Sequence, residues 1–528
     1  ISVASGGFFG VGASIDNLVE TWRADPALMP NWPAHPKAHP PGIVTLFWAT
    51  GKLFGLAPSL ADRLATPFRI WQCHHRALMA LPDGAIGSAI LGMALPLLGL
   101  LALPLATDLT RDLYDRRTAL RAALWLPLVP ALVMFTPQWN QFYILLSMLG
   151  LWLTQRALRT VNPWWMGLAG LLMSAATFIS FTNVNIVGLM GVYGGLYVMF
   201  VGGREWERAD WRRFGLGVGL FAVGLAAVWV IYTALSGVTA FELLTTALTI
   251  HYGLNEPYLP WLFFFPEDLL LFTGIAVGGL AIIQMGRGVG NLMRHSMEAA
   301  AGDVLALAVL ISVLALNFSG LVRGEVGRLL LWIMPLLGIL AARTVEQSPS
   351  PGAATWAVSG AAGLQLAVMV AVLRVIGTEL APPPDPPFVS EPPLMMYQAQ
   401  AAFDGRAELI GYNAGLTTDR GAMNLTLFWR SVDRFDHAYF LSALVIGPNG
   451  EPLGVTDWLP VEGGYPTSCW RPGEIVTDVV QIPLERAPSG DYWISLAMYD
   501  FDSGERLTVT APGGAPDTQV GLGPIPCP

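Results

Sequence analysis

The sequence predicts a polytopic helical membrane domain followed by an all-β sandwich, and three observations carry that prediction. Hydrophobic residues make up 53% of the 528 residues and charged residues 13%, with a mean hydropathy of +0.52; a soluble domain carries roughly 25% charged residues. Charge is unevenly divided, because residues 1–378 hold 22 Lys and Arg against 19 Asp and Glu, whereas residues 379–528 hold 7 against 19. Beyond residue 395 the long apolar runs give way to short alternating runs punctuated by turn residues. A disordered chain, a nucleic-acid binder and a small disulfide scaffold are excluded, since the chain is apolar, its pI is about 5.3 and it has three cysteines.

Four segments follow: a first extracytoplasmic loop at 1–84, a transmembrane helical domain at 85–377, a Pro-rich linker at 378–394 and an extracytoplasmic β-sandwich at 395–528. A further helix or uncleaved signal anchor is expected ahead of Ile1. Within the loop, the run 41–57 carries Lys52 and reads as a helix lying in the outer interface rather than crossing. Runs long enough to span, given about 20 residues per crossing, lie near 85–106, 119–137, 140–156, 163–182, 185–202, 214–236, 267–286, 303–318, 328–343 and 355–377, ten in all. Pro127, Pro130 and Pro335 interrupt some of them, which lipid-embedded helices tolerate when neighbours re-satisfy the freed backbone groups.

Arginine-rich connections stay in the cytoplasm. The connections 107–122 and 203–213 carry four arginines each, and strict alternation also puts Arg156, Arg159, Arg287, Arg294 and Arg343 inside. The intervening connections 137–140, 183–185 and 237–266 carry none. The exception is SGLVRGEVGR at 319–328, which should be outside yet holds Arg323, Glu325 and Arg328. A cation at membrane depth is costly unless paired, and it commonly marks a ligand path. Guanidinium forks suit phosphate, so a leaving-group clamp stands beside an internal arginine–Glu325 pair. Outer connections also hold Asn140, in TPQWNQFY, Asn183 and Asn185, and His251, Tyr252, Asn255 and Glu256. They suit a sugar pocket, or an ordinary aromatic interface belt.

The loop reads PNWPAHPKAHPPG at 30–42, and His39-Pro40-Pro41-Gly42 with the LF-x-x-x-x-LFG run after it resembles the signature of C-type integral-membrane glycosyltransferases. That superfamily includes the protein O-mannosyltransferases and the aminoarabinose transferases. The resemblance implies a bacterial plasma-membrane enzyme that moves a sugar from a polyprenyl-phosphate donor to an acceptor at the outer face. It also implies an acidic catalytic base upstream of the motif, a place that Asp16 matches, with Glu20 and Asp25 as rivals or Asp16 as a mere helix cap. His39 and His35 are then pocket hydrogen-bonders or turn-forming residues beside prolines, and Arg323 and Arg328 match the basic residue that holds the lipid phosphate. No cofactor is certain. A divalent cation on loop acids remains open, but His35, His39, His74 and His75 share no helix face for zinc.

Where the family has Asp-Glu this chain has Asp16-Asn17, which sustains a second reading: a catalytically inactive relative acting as a structural or assembly subunit of an envelope complex. A transporter is the weakest reading, for want of an internal repeat or a mid-span charge. In the C-terminal part, the runs AELIGYNA, MNLTLFWRSV, AYFLSALVIGP, PLGVTDWLP, IVTDVVQIPL, DYWISLAMYD and ERLTVTA predict seven or eight antiparallel strands. The succession LIGY, LTLFWRS, GPNGE, GGYPTSCWRPGE and LAMYDFDSGERL resembles a domain appended to bacterial family-39-like membrane transferases, which implies contacts with envelope glycans or proteins. Trp429, Trp458, Trp470 and Tyr492 are core or sugar platforms, and His437 stands alone. A Cys469–Cys527 disulfide is expected to pin the tail, with Cys73 a free thiol.

Overall fold

The structure, a computed structural model, describes residues 7–33, 35–136, 138–203, 205–253, 257–294, 300–373, 385–485 and 487–527. It divides into two compact units: Ile1–Leu56 with Ser88–Val375, and Ala57–Gly87 with Ile376–Pro528. The loop read as one segment from 1 to 84 is thus split, and its second half folds with the β domain. Arg204, Asn255, Glu256 and linker residues 378–384 lie outside the described residues.

The first unit is helical. Its opening loop forms α1 (Phe8–Ala13), α2 (Leu18–Leu28) and α3 (Gly42–Gly55), with a 3-10 turn at Pro36–Ala38 between the last two. Asn17 starts α2 by accepting hydrogen bonds from the amides of Val19 (3.2 Å) and Glu20 (3.4 Å). The 41–57 run is a helix, as its periodicity predicts.

Each of the ten apolar runs contains helix, but among the described residues five helices are long and apolar enough to cross a membrane: Asp83–Leu113, Phe181–Gly202, Arg208–Ser236, Ala301–Ser319 and Pro351–Val372. Several of the remaining runs are shorter or broken helices, and proline and glycine chemistry is part of the reason. Pro127 and Pro130 cut the 119–137 run into Arg116–Trp125, a 3-10 turn and Pro130–Met134. Tyr258–Thr273 and Ile275–Arg294 meet at 115°, a sixth span if counted as one. Gly274 makes that bend with φ 101°. Gln365 from the Pro351–Val372 helix repairs it, accepting from the Ile275 amide (2.8 Å) and donating to the Leu271 carbonyl (2.8 Å).

Several of the arginines in the basic connections pair with acids among the described residues. Asp108 takes Arg156 (3.0 Å) and Arg111 (2.6 Å), Asp112 takes Arg159 (3.2 Å), Asp115 takes Arg343 (3.4 Å) and Glu346 takes Arg121.

The second unit is a two-sheet antiparallel sandwich. Its strands are β1 (Tyr397–Phe403), β2 (Ala407–Leu416), β3 (Ala422–Ser431), β4 (Phe440–Ile446), β5 (Pro452–Trp458), β6 (Ile475–Pro483), β7 (Gly490–Tyr499), β8 (Val509–Thr510) and β9 (Val520–Cys527). The sheet orders are β6-β3-β2-β1-β8 and β5-β4-β7-β9. β1 and β9 escape the sequence reading because YQAQAAF is small and polar and VGLGPIPC is rich in Gly and Pro; pairing with β2 and β7 makes them strands. Trp429, Trp470, Tyr465 and Tyr492 fill the core.

The segment 57–87 joins this unit through α4 (Pro58–Trp71) and the turn that follows it. Arg69 closes the turn on the carbonyls of Met79 (2.7 Å) and Leu81 (2.9 Å) and on Asp83 (2.7 Å). Cys73 forms a disulfide with Cys469, Cα to Cα 5.0 Å, and the Ser468 hydroxyl donates to the Cys73 carbonyl (2.7 Å). The expected Cys469–Cys527 bridge is therefore wrong, and so is a free Cys73. Cys527 is paired along β9 opposite Gly490, which buries its thiol in the sandwich, whereas Cys469 lies on a 3-10 turn covered by 72–75.

Candidate functional site

The HPPG motif is a packing device first. Gly42 begins α3 with its Cα so close to the end of the Pro163–Ile179 helix that an added Cβ would lie 2.2 Å from the Phe178 carbonyl oxygen. Both contact partners are backbone, so neither yields easily. Gly42→Ala is expected to cost about 2–3 kcal/mol, the upper part of the overpacking range, read as a fall in thermal stability of the full chain in detergent.

His39 is fixed by its own turn. Its Nδ1–H donates to the His35 carbonyl (2.8 Å), which leaves Nε2 as the acceptor, and the Phe8 ring meets it edge-on at 5.3 Å. Burial pushes the imidazole down to about 4; the charges of His35 and Arg328 push the same way, and the bond to the His35 carbonyl opposes them. His35 is lowered too, by burial and then by Arg328, against the pull of Glu325. Both rings are therefore neutral at pH 7 and serve as hydrogen-bonders rather than cations.

Arg328 is the charge these histidines sense. It sits in the short helix Val326–Leu329, its side chain only 13% exposed, paired with Glu325, which is 59% exposed. Its Nε is buried without an acceptor, a cost that an anion would relieve. The pair anticipated between an arginine and Glu325 thus exists, and it leaves guanidinium capacity unused. Arg323 has a different setting: its Nε–H donates to the Gly320 carbonyl (2.8 Å) and its guanidinium lies 5.6 Å over the Tyr258 ring.

The other predicted residues are more scattered. Asp16 is exposed, and no hydrogen bond or ion pair joins it to His39, Arg323 or Arg328 among the described residues. Asn17, standing where the resembling family has an acid, is used as the α2 cap. Asn140 is buried in the first turn of Asn140–Thr160. His251 lies at the end of Ala240–Tyr252, a helix that packs on the Pro36–Ala38 turn, and its ring meets Tyr252 at 5.8 Å.

Asp25, only a rival for the base on sequence grounds, is the more unusual group. It is 0% exposed, and its Oδ2 accepts the Tyr232 hydroxyl at 2.9 Å. Around it Trp22, Phe178, Trp229 and Tyr232 form an aromatic wall, with Phe181 stacked on Trp229 at 5.8 Å. Tyr232, near the C-terminal end of an apolar helix, carried no signal that sequence reasoning could use. Beyond this wall an apolar cavity of about 350 Å³ is lined by Phe181, Val187, Trp229 and Phe241, and a second of about 230 Å³ by Val187, Gly191, Gly194 and Phe221. They share Val187.

Solved structures similar to this chain include two of one protein. Both are crystal structures of ArnT from Cupriavidus metallidurans, an aminoarabinose transferase of the C-type superfamily. The one bound to undecaprenyl phosphate has 18% identity, covers 67% of this chain and 61% of that one, and gives a TM-score of 0.40. The apo structure has 16% identity, covers 70% and 64%, and gives 0.38. The chain spans less than two thirds of the length of ArnT, and at these TM-scores no residue role passes from one to the other. No family model and no curated protein sequence matches the chain.

In the β unit, Trp429, Trp470 and Tyr492 are core, and the Trp458 indole donates to Asp478 (2.8 Å), so these side chains are not open stacking platforms. His437 is not alone: it lies 3.1 Å from both Asp436 and Asp500 and stacks on Tyr439 at 4.3 Å. Cys73, His74 and Cys469 come within metal-binding range of one another, but both sulfurs are consumed by the disulfide, so the set offers no thiolate.

Proposed function

We propose that the chain is a membrane glycosyltransferase that takes a sugar from a polyprenyl-phosphate donor and passes it to an acceptor on the extracytoplasmic face. The observation that carries this reading is Arg328, a nearly buried guanidinium with an unused Nε beside the neutral imidazoles of His35 and His39. Such a group suits a phosphate that gains charge as it leaves. The Asp16 carboxylate would take the proton of the acceptor hydroxyl, whose oxygen attacks the anomeric carbon from the face opposite the donor. The sugar–phosphate bond breaks as the new bond forms, and the lipid phosphate departs onto Arg328 with Arg323 nearby in sequence. Glu325 would orient Arg328, His39 Nε2 would accept a hydroxyl proton, and Asn140 and His251 remain candidates for sugar contacts. The apolar cavities along Val187 suit an isoprenoid or acyl chain.

The Cys73–Cys469 disulfide supports an outer position for both 57–87 and the β domain, since such bonds persist in oxidising compartments. A role for that domain in contacting envelope glycans or proteins belongs to the same proposal.

The test is transfer of labelled sugar from polyprenyl-phosphate donors in membranes holding the full chain. Asp16→Asn is expected to abolish labelling while leaving expression and thermal stability unchanged, because Asp16 is exposed. A specific observation favours the rival, inactive-subunit reading: no hydrogen bond or ion pair joins Asp16 to His39 or Arg328 among the described residues, and Asn17 serves as a cap. No transfer by the wild-type chain with any donor would select that reading.

A further inference from the structure

We infer that Asp25 and Tyr232 form a proton-dependent latch that docks α2, the helix between Asp16 and the HPPG motif, onto the Arg208–Ser236 helix. The geometry is that of a buried acid with one partner. Asp25 Oδ2 accepts the Tyr232 hydroxyl (2.9 Å), Oδ1 is buried with no partner, and the same hydroxyl reaches the Trp22 carbonyl at 3.3 Å. Trp22 adds a second fastening, its indole donating to Thr45 of α3 (3.2 Å), so α2 is tied to α3 as well.

A carboxylate in this place has no cation to balance it among the described residues. On α2 itself Glu20 and Arg23 are exposed; on the elements packed against it, the charged or titratable groups are Arg208, Asp210, Arg212 and Arg213 at the far, N-terminal end of Arg208–Ser236, Glu242 and His251 in Ala240–Tyr252, Lys37 in the Pro36–Ala38 turn and Lys52 near the end of α3. None of them hydrogen-bonds or ion-pairs with Asp25. The neutral acid is the form that this apolar, aromatic wall tolerates. Burial raises the group from 3.8 to about 7, against a smaller lowering by the Tyr232 bond. With the docked value above the undocked one, docking is strongest below about pH 4 and weakens as pH rises through about 7. At neutral pH the latch is therefore poised, and ionisation releases α2 together with the chain leading from Asp16 to His39.

The latch does not rest on the transferase reading, because it is read without donor or acceptor. Hydrogen–deuterium exchange of residues 18–28 in the full-length protein, divided by the intrinsic rate, is compared at about pH 5.5 and about pH 8.5. Wild-type protection is expected to fall roughly tenfold or more between them. Asp25→Asn, which keeps the shape and cannot ionise, is expected to hold the same protection at both. Tyr232→Phe, lacking the donor, is expected to lose protection already at the acid end. Wild-type protection that is the same at both values, or an Asp25→Asn protein that falls as the wild type does, overturns the inference.

Discussion

Replacing Arg328 by alanine is expected to lower sugar transfer by about 10²–10³-fold, the usual loss when one preorganised group that stabilises developing charge is removed. The guanidinium is 13% exposed and its carboxylate partner faces solvent, so Glu325 satisfies only part of it. The loss should fall in kcat at saturating donor rather than in KM alone, because the phosphate gains charge only as the sugar departs. Arg328→Lys keeps the charge and loses the fork, and is expected to recover part of the rate. Arg323→Ala should cost less, since that side chain is held by the Gly320 carbonyl and the Tyr258 ring. Initial rates with labelled donor check all three; wild-type turnover by Arg328→Ala would remove this guanidinium from the reaction.

Replacing Cys469 by serine is expected to destabilise the β unit by about 2–5 kcal/mol, the range for losing a native disulfide. The bond closes a sequence separation of 396 residues and holds the 57–87 segment together with the Arg76–Asp502 ion pair and the His74–Asp385 hydrogen bond (3.2 Å). Cys527→Ala should cost only about 1 kcal/mol, since it trims a buried sulfur from β9 and breaks no bond. Thermal unfolding with and without reductant separates the two. A protease site placed in 378–394 gives a sharper reading. After cleavage, the wild-type β domain should stay attached on a non-reducing gel and leave on reduction, while the Cys469→Ser domain should leave without reductant. Release of the wild-type domain without reductant would refute the Cys73–Cys469 pairing.

The parts of the fold with a periodic or compositional signature were legible. Apolar runs marked the helices of the first unit, the Pro-rich stretch marked a boundary, and β2 to β8 read out as alternating runs with turn residues between them. What was misread depended on partners distant in sequence. Hydropathy does not register how Pro127 and Pro130 break a helix, or that Gln365 sustains a sharp bend at Gly274. Cysteine pairing was assigned from compartment and domain, whereas the true partner of Cys469 lay in a loop almost 400 residues earlier.

The candidate site divides in the same way. The His39–Gly42 motif and the arginines of 319–328, whose counterpart connections 137–140, 183–185 and 237–266 carry none, stood out because each breaks a local rule, and the structure puts Arg328 within electrostatic reach of His35 and His39. Composition and spacing by themselves determined the membrane class, the two-part architecture and the motif-bearing loop, since these depend on local patterns of polarity. Only the tertiary structure decided that Asp25 is buried against Tyr232, that Gly42 touches the Phe178 backbone and that Cys73 meets Cys469. Those are contacts between segments far apart in the chain, and burial is a property of the neighbours that packing brings, which no window along the sequence contains.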